Sequence, residues 1–506
     1  MRLIRKTILL LFFLLAAKGF THETNIYVVL WFDTEDYLLP ASDDSAKRLA
    51  ELLSERNIRA TFKVVGEKAR TLERRGRFDV ITSLKKHDIG YHSNFHSVHP
   101  TPAEYLANAG LLDGIEDFTR REGTGAADVR RIFGIQNLAC YGQPGSSWAP
   151  QAIAALPQIG VNPEGVGCYV DDGTHIGLGD QPFWYENAIV VYRMGANVVR
   201  VNLHEPDDLK PAEDKITRAA ENLRSRGGGL ISIYYHPCEW VHREFWDGVN
   251  FRRGANPPRE EWKAPGQLSA GATEAAFKQF TTWVDYIRTI PNLTFVTASQ
   301  LPTLYRDPLR QTGATDGDLQ KLSEIITNET NDFSYIEVHG KNFSPCDQFE
   351  LLAYADLAFL HERSPALPRR IAGLLGPARP STNQMPTRFL TKTEFSRVLA
   401  DVCDFISREK RVPSEIFIGP DAVPPGDFLV ALGDAYSQLR SNKNDLNLKL
   451  GRNRGLVLTQ NIAADTPGLF GNWIIHKEGF RAPKLLDVAR LQTWTLKPAI
   501  LADLNQ

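Results

Sequence analysis

Seven consecutive apolar residues, Ile26-Tyr27-Val28-Val29-Leu30-Trp31-Phe32, run straight into Asp33-Thr34-Glu35-Asp36. An apolar run of that length suits a strand buried inside a sheet, and its polar end marks where the strand leaves the core. Two other segments share the arrangement. Asp88-Ile89-Gly90-Tyr91 leads into His92 and, four residues on, His96, while Leu230-Ile231-Ser232-Ile233-Tyr234-Tyr235 ends in His236-Pro237. Ala60–Val65, Ile189–Tyr192 and Leu293–Val296 read as further strands. Amphipathic stretches separate them: Asp44–Arg56 places Ala46, Leu49, Leu52 and Leu53 on one helical face, and Ala272–Ile287 has the same period. Strand–helix alternation over residues 26–305 predicts an α/β fold with a largely parallel, barrel-like sheet. In such folds reactive side chains gather at the C-terminal ends of strands, where Asp33, His92 and His236 fall.

A chain of 506 residues exceeds one ordinary core, so two or three domains are expected. Residues 1–19 read as a secretory signal: Arg2, Arg5 and Lys6, then an apolar run from Ile8 to Ala17, then small residues at Ala17 and Gly19. Ten apolar residues are too few to span a bilayer, so an exported protein rather than an integral membrane one is expected. After residues 26–305, residues 306–318 read as a linker, 319–385 as an accessory segment and 386–506 as a C-terminal domain with a helix around Glu394–Arg408. No strict internal repeat is visible. A formal net charge of −2 gives no electrostatic reason for a nucleic-acid partner. The five cysteines, Cys140, Cys168, Cys238, Cys346 and Cys403, form no CxxC pair. That spacing excludes a zinc ribbon and leaves small buried residues as the simplest reading for Cys140 and Cys238.

Borderline divalent cations take imidazole nitrogen and carboxylate oxygen, and a catalytic site keeps one coordination position open. His92 and His96 are spaced to share one face of a helical turn. A third ligand would come from Asp33, Glu35 or Asp36 at the neighbouring strand end. Carboxylates, a histidine pair and a lone histidine at three strand ends are the components of a metal-dependent hydrolase.

The order and flanks of these motifs extend further. Phe32-Asp33-Thr34-Glu35-Asp36 is followed by Ala60-Thr61-Phe62-Lys63-Val64-Val65-Gly66, by His87-Asp88-Ile89-Gly90-Tyr91-His92-Ser93-Asn94-Phe95-His96, by Tyr141-Gly142-Gln143-Pro144-Gly145-Ser146-Ser147-Trp148, and by Leu230–Pro237. In this series residues 26–305 resemble the NodB-like polysaccharide deacetylases, carbohydrate esterase family four in the broad sense. The resemblance implies a distorted (β/α) barrel that hydrolyses an acetamide with one divalent ion of the zinc, cobalt or nickel class. It implies His92 and His96 as ligands, with Asp36 the first choice for the third and Glu35 the second. Asp33 would be the general base, His236 would protonate the departing amine, and a backbone N–H near Gly145 would face the oxyanion. Pro144, Gly145, Trp148 and Trp240 would contact substrate, an N-acetylated cell-wall glycan or chitin-like polymer. Two departures stand out: the family's arginine, which orients the catalytic aspartate, has no equivalent at Gly142, and the aspartate pair is stretched. Asp171-Asp172 reads as a turn. Residues 389–436 are similar to pseudomurein-binding-type repeats, which implies a cell-wall-binding C-terminal region. The alternatives are hydrolysis of another linear or cyclic amide, and a non-catalytic carbohydrate-binding protein on the same fold.

Overall fold

The computed structural model describes residues 25–328, 332–381, 386–441 and 445–502. The expected signal, residues 1–19, lies outside the described residues.

Eight strands frame the first part of the chain: Ile26–Thr34 (β1), Thr61–Val64 (β2), Asp88–Tyr91 (β3), Gly167–Val170 (β4), Phe183–Tyr185 (β5), Ala188–Val191 (β6), Gly229–Tyr235 (β7) and Leu293–Val296 (β8). β1 is buried along its whole length because parallel ladders cover both of its edges. β7 runs beside Ile26 to Phe32, so β8 and β2 share the other edge, at residues 26–29 and 31–34. β3 continues from β2, single bridges Tyr91–Tyr141–Tyr169 carry the sheet to β4, and β6 and then antiparallel β5 follow. On the far side Val198 bridges Ser232 of β7. Among the described residues no ladder joins β6 to Val198, so the expected barrel curls around an interior without closing there by hydrogen bonds.

Period-two alternation sorts the side chains of β1. Tyr27, Val29 and Trp31 point into the enclosed interior with Val170, Val191 and Leu230, while Val28, Leu30 and Phe32 pack outward under the helices. Helix Pro40–Glu55 lays Ala46, Leu49, Ala50 and Leu53 on that outer layer, and its N-terminus accommodates Pro40 because the first helical N–H needs no partner. Helix Ala270–Ile287 adds Phe280, whose ring meets Phe32 edge-on.

The expected domain division changes beyond residue 305. The linker 306–318 holds a helical turn, Pro308–Gln311, and buries Leu309 and Ala314. These join a second apolar core that extends through Leu450, so residues 319–385 and the start of the C-terminal region form one unit. That unit is a structural duplication without a strict sequence repeat. Helix Asp316–Asn328, hairpin Ile336–Val338/Lys341–Phe343 and helix Pro345–Leu360 are matched by helix Lys392–Glu409, hairpin Ile416–Ile418/Asp421–Val423 and helix Pro425–Arg440. Each hairpin and following helix of the second copy begins about eighty residues after its counterpart, Ile336 to Ile416 and Pro345 to Pro425. The chain then returns to the first core. Phe470, Ala482, Leu485, Leu486 and Ala489 pack there, Tyr185 donates to the Ala489 carbonyl at 3.0 Å, and Lys497–Pro498 pairs with β5. The expected C-terminal domain 386–506 is therefore split between two cores. All five cysteines are buried and free, and no helix among the described residues is long and apolar enough to cross a membrane.

Candidate metal centre

The alternation that places Trp31 inward carries on past the end of β1. Asp33 and Glu35 fall on the interior side, and Asp36 falls off it. Glu35 sends Oε2 to 3.3 Å from His92 Nε2 and 2.9 Å from His96 Nε2, and these three buried atoms form one cluster within 4.8 Å. Asp36, the sequence's first choice for third ligand, is not in that cluster. Its Oδ1 accepts from the backbone of Leu38 and Leu39, and its Oδ2 lies 2.8 Å from His242 Nε2, so its carboxylate is spent on a turn.

The histidine pair does not sit on a helix, contrary to the expectation from its spacing. β3 ends at Tyr91, and residues 92–96 form a turn in which Ser93 and His96 both take left-handed backbone angles, φ 67° and 58°. Non-glycine residues seldom adopt these angles, and they persist where surrounding contacts over-determine them. Here Ser93 Oγ accepts from the His96 N–H, and the carbonyls of Ser93 and Asn94 accept from the first two N–H groups of helix Gly66–Arg74. The helix comes that close because Gly66 has no side chain: a Cβ there would lie 2.9 Å from Asn94 Oδ1 and from Gly125.

The second nitrogen of each imidazole is also engaged. His92 Nδ1 is 3.0 Å from the Gly142 carbonyl, which can only accept, so Nδ1 carries the proton and Nε2 presents a lone pair toward Glu35. His96 Nδ1 is 2.6 Å from Ser97 Oγ, which donates to Asp247. Trp246 Nε1 donates to Glu35 Oε1 at 2.7 Å and orients the carboxylate. Outer partners of this kind fix tautomer and direction at metal sites. Burial alone would push the Glu35 carboxyl up, but His96 and His236 outweigh it and hold it well below the usual range. Burial pushes His92 down, so it is neutral and able to ligate. Two imidazole nitrogens and a carboxylate oxygen with their other valences satisfied form a donor set that fits a zinc-class ion and leaves a position open.

Asp33 and His236 stand beside this group. His236 Nε2 is 3.7 Å from Asp33 Oδ2, and His92 Nδ1 is 3.4 Å from Asp33 Oδ1. His236 Nδ1 meets Glu239 Oε1 at 2.7 Å, and Arg200 pairs with the other Glu239 oxygen. Asp33, Glu35, His92, His96 and His236 open onto one cavity of about 380 Å³, lined also by Gln143, Gly145, Asp171, Asp172 and Tyr234.

The expected substrate contacts divide. Gly145 lines the cavity, while Pro144 is buried beside it. Trp148 and Trp240 are fully buried: Trp148 stacks on His175, and Trp240 packs against Phe32 and Phe280 on the outer layer, so neither can meet a substrate. The aromatic walls are instead Tyr234, Phe245 and Trp473, with Ile474. Phe245 meets His236 edge-on nine residues after it, and an aromatic pair in the loop leaving β7 was the available signal. Trp473, whose ring stands perpendicular to His96 at 5.5 Å, arrives from the returning C-terminal stretch, and nothing local in the sequence announces it.

No family model matches the chain, and no curated protein matches it. Among solved structures it is similar to the allantoinase Puue, with 11% identity and a TM-score of 0.35 over 56% of this chain and 92% of that one. It is similar to the Xyl-CE4 domain of a multidomain xylanase from the hindgut metagenome of Trinervitermes trinervoides, with 10% identity and a TM-score of 0.28 over 55% and 90%. It is similar as well to the Bc1960 peptidoglycan N-acetylglucosamine deacetylase, with 17% identity and a TM-score of 0.26 over 55% and 86%.

Proposed function

We propose that this chain is an exported, metal-dependent hydrolase that removes N-acetyl groups from a polysaccharide. The observation that carries the reading is the convergence of Glu35 Oε2 with the Nε2 atoms of His92 and His96, flanked by Asp33 and His236 in one cavity. Glu35, His92 and His96 would hold the ion, which when bound supplies Lewis acidity toward a water and an acetamide carbonyl. Asp33, at the cavity floor, accepts the proton that the attacking water loses. His236 is held by Glu239 through Nδ1, so its Nε2–H faces the cavity and delivers a proton to the departing amine nitrogen. Tyr234, Phe245 and Trp473 offer faces on which pyranose rings stack. Residues 389–436, similar to pseudomurein-binding-type repeats, would bind the cell-wall polymer.

The test is acetate release from N-acetylglucosamine oligomers and peptidoglycan fragments by zinc-loaded protein. A stoichiometric ion without acetate would turn the reading toward another amide, and no ion would end it.

His236 gives the reaction a pH signature. Burial acts to lower its pKa, but the carboxylates of Glu35, Glu239 and Asp33 outweigh burial and raise it from 6.5 to about 9. The rate should therefore fall on the alkaline side, as the proton to be donated is lost. Once Glu35 is committed as a ligand its pull on His236 weakens, so the midpoint is expected below about 9. In His236→Gln this limb should vanish and kcat should fall about 100-fold, the scale of one proton-transfer group. A pH–rate profile with the limb intact in that variant would reassign the acid.

A further inference from the structure

We infer that Lys63 is the positioning residue for Asp33, holding its carboxylate at the cavity floor from the adjacent strand. The inference rests on the hydrolase reading for the role of Asp33, and on geometry for the rest. Asp33, Lys63 and Gly90 are register partners across β1, β2 and β3, so all three face the interior side. The Lys63 side chain is wholly buried, and its Nζ lies 2.9 Å from Asp33 Oδ1, 2.9 Å from the Val170 carbonyl and 3.5 Å from Asp171 Oδ2. The Trp31 ring lies beneath the ammonium, 4.0 Å from Nζ to its centroid.

The fold clears a path for this side chain. A Cβ on Gly90 would come within 3.0 Å of Lys63 Cγ, and one on Gly142 would come within 2.0 Å of Nζ. Burying an ammonium carries a desolvation cost that an apolar residue among Val29, Trp31 and Val170 would avoid. What the ammonium provides is direction. Lys63, His92 and His236 all carry nitrogens within 4 Å of the Asp33 carboxylate, and Lys63 is the nearest of them. Between the two imidazoles the carboxylate could rotate onto either; the fixed ammonium keeps Oδ1 down and leaves Oδ2 toward His236 and the cavity.

The test compares Lys63→Met, Lys63→Gln and Lys63→Arg with the wild type. In the neutral variants kcat is expected to fall about 100-fold, as misplacing a reacting group by about 1 Å does, with KM within threefold and metal content unchanged. Lys63→Gln keeps a donor for Val170 and serves if Lys63→Met does not fold. Lys63→Arg, which restores a cation, should recover to within about tenfold of wild type. A neutral variant with kcat within threefold of wild type would overturn the inference. So would equal losses in all three variants accompanied by loss of metal, since that pattern marks a structural role. If the wild type itself releases no acetate, crystal structures of the variants still decide: a displaced Asp33 carboxylate in the neutral variants supports the inference, and an unmoved one overturns it.

Discussion

Glu35→Ala is expected to empty the metal site and to lower acetate release by about 10⁴-fold, equivalent to about 5.4 kcal/mol of barrier. Elemental analysis should find about one zinc-class ion per wild-type chain and none in the variant after dialysis, because two imidazoles alone leave the ion short of the three protein ligands usual in catalytic sites. The contrast that gives this result its force is Asp36→Asn. Both residues lie at the end of β1, and only the alternation of the strand separates them: Glu35 meets both Nε2 atoms, whereas Asp36 caps Leu38 and Leu39 and pairs with His242. Asp36→Asn should keep the ion. A melting curve gives the second readout, since a ligand that binds only the folded state stabilises it by mass action. Zinc should raise the wild-type midpoint and leave Glu35→Ala unmoved. Loss of the ion in Asp36→Asn with retention in Glu35→Ala would reverse the assignment and return the sequence's first choice.

That choice shows which parts of the site are legible in a sequence and which are not. The strands were readable because their apolar runs are long and end in polar residues: Asp88–Tyr91 and Leu293–Val296 have the bounds expected, and β7 differs by one residue. Glu35 was readable too, because counting by twos from Trp31 gives Asp33 and then Glu35. The turn at residues 92–96 was not, since serine and histidine give no sign of a left-handed backbone and a spacing of four suggests a helix first. Trp148 and Trp240 adjoin motifs in sequence, yet adjacency does not say which side of the chain a ring takes, and both took the core. The duplication escaped because few identities survive, among them Pro345 and Pro425, Asp347 and Asp427, and Ala355 and Ala435. The return of the C-terminal stretch escaped because its partners lie some three hundred residues earlier, as Ala489 with Tyr185 shows. The departure at Gly142 was visible in the sequence, but its link to the lysine at position 63 was not. In space the two are neighbours, because the ammonium of Lys63 fills the room that Gly142 leaves.

Asp33→Asn should lower kcat by about 10³-fold, within the range for a general acid–base group, while keeping the ion and leaving KM within about threefold. Asparagine has the same shape and keeps an oxygen for Lys63, but it cannot take a proton from water at neutral pH. The ion is retained because Asp33 lies outside the Glu35–His92–His96 cluster. Stability is the informative second axis. Removing one partner of a buried ion pair usually costs about 3–5 kcal/mol, because the other charge is stranded. Lys63 has a reserve partner in Asp171, 3.5 Å away. Burial pushes the Asp171 carboxyl up, Asp172 and Asp33 add to the shift, and Lys63 opposes it. Without the Asp33 charge one of those repulsions is gone, so Asp171 ionises more readily and takes over the ammonium. The destabilisation of Asp33→Asn should therefore fall below that range, and Asp33→Asn/Asp171→Asn, which strands the lysine, should reach it. Chemical denaturation of the two variants measures the difference. A single variant as unstable as the double would show that Asp171 does not share the lysine, and a single variant with kcat within tenfold of wild type would remove Asp33 from the role of base.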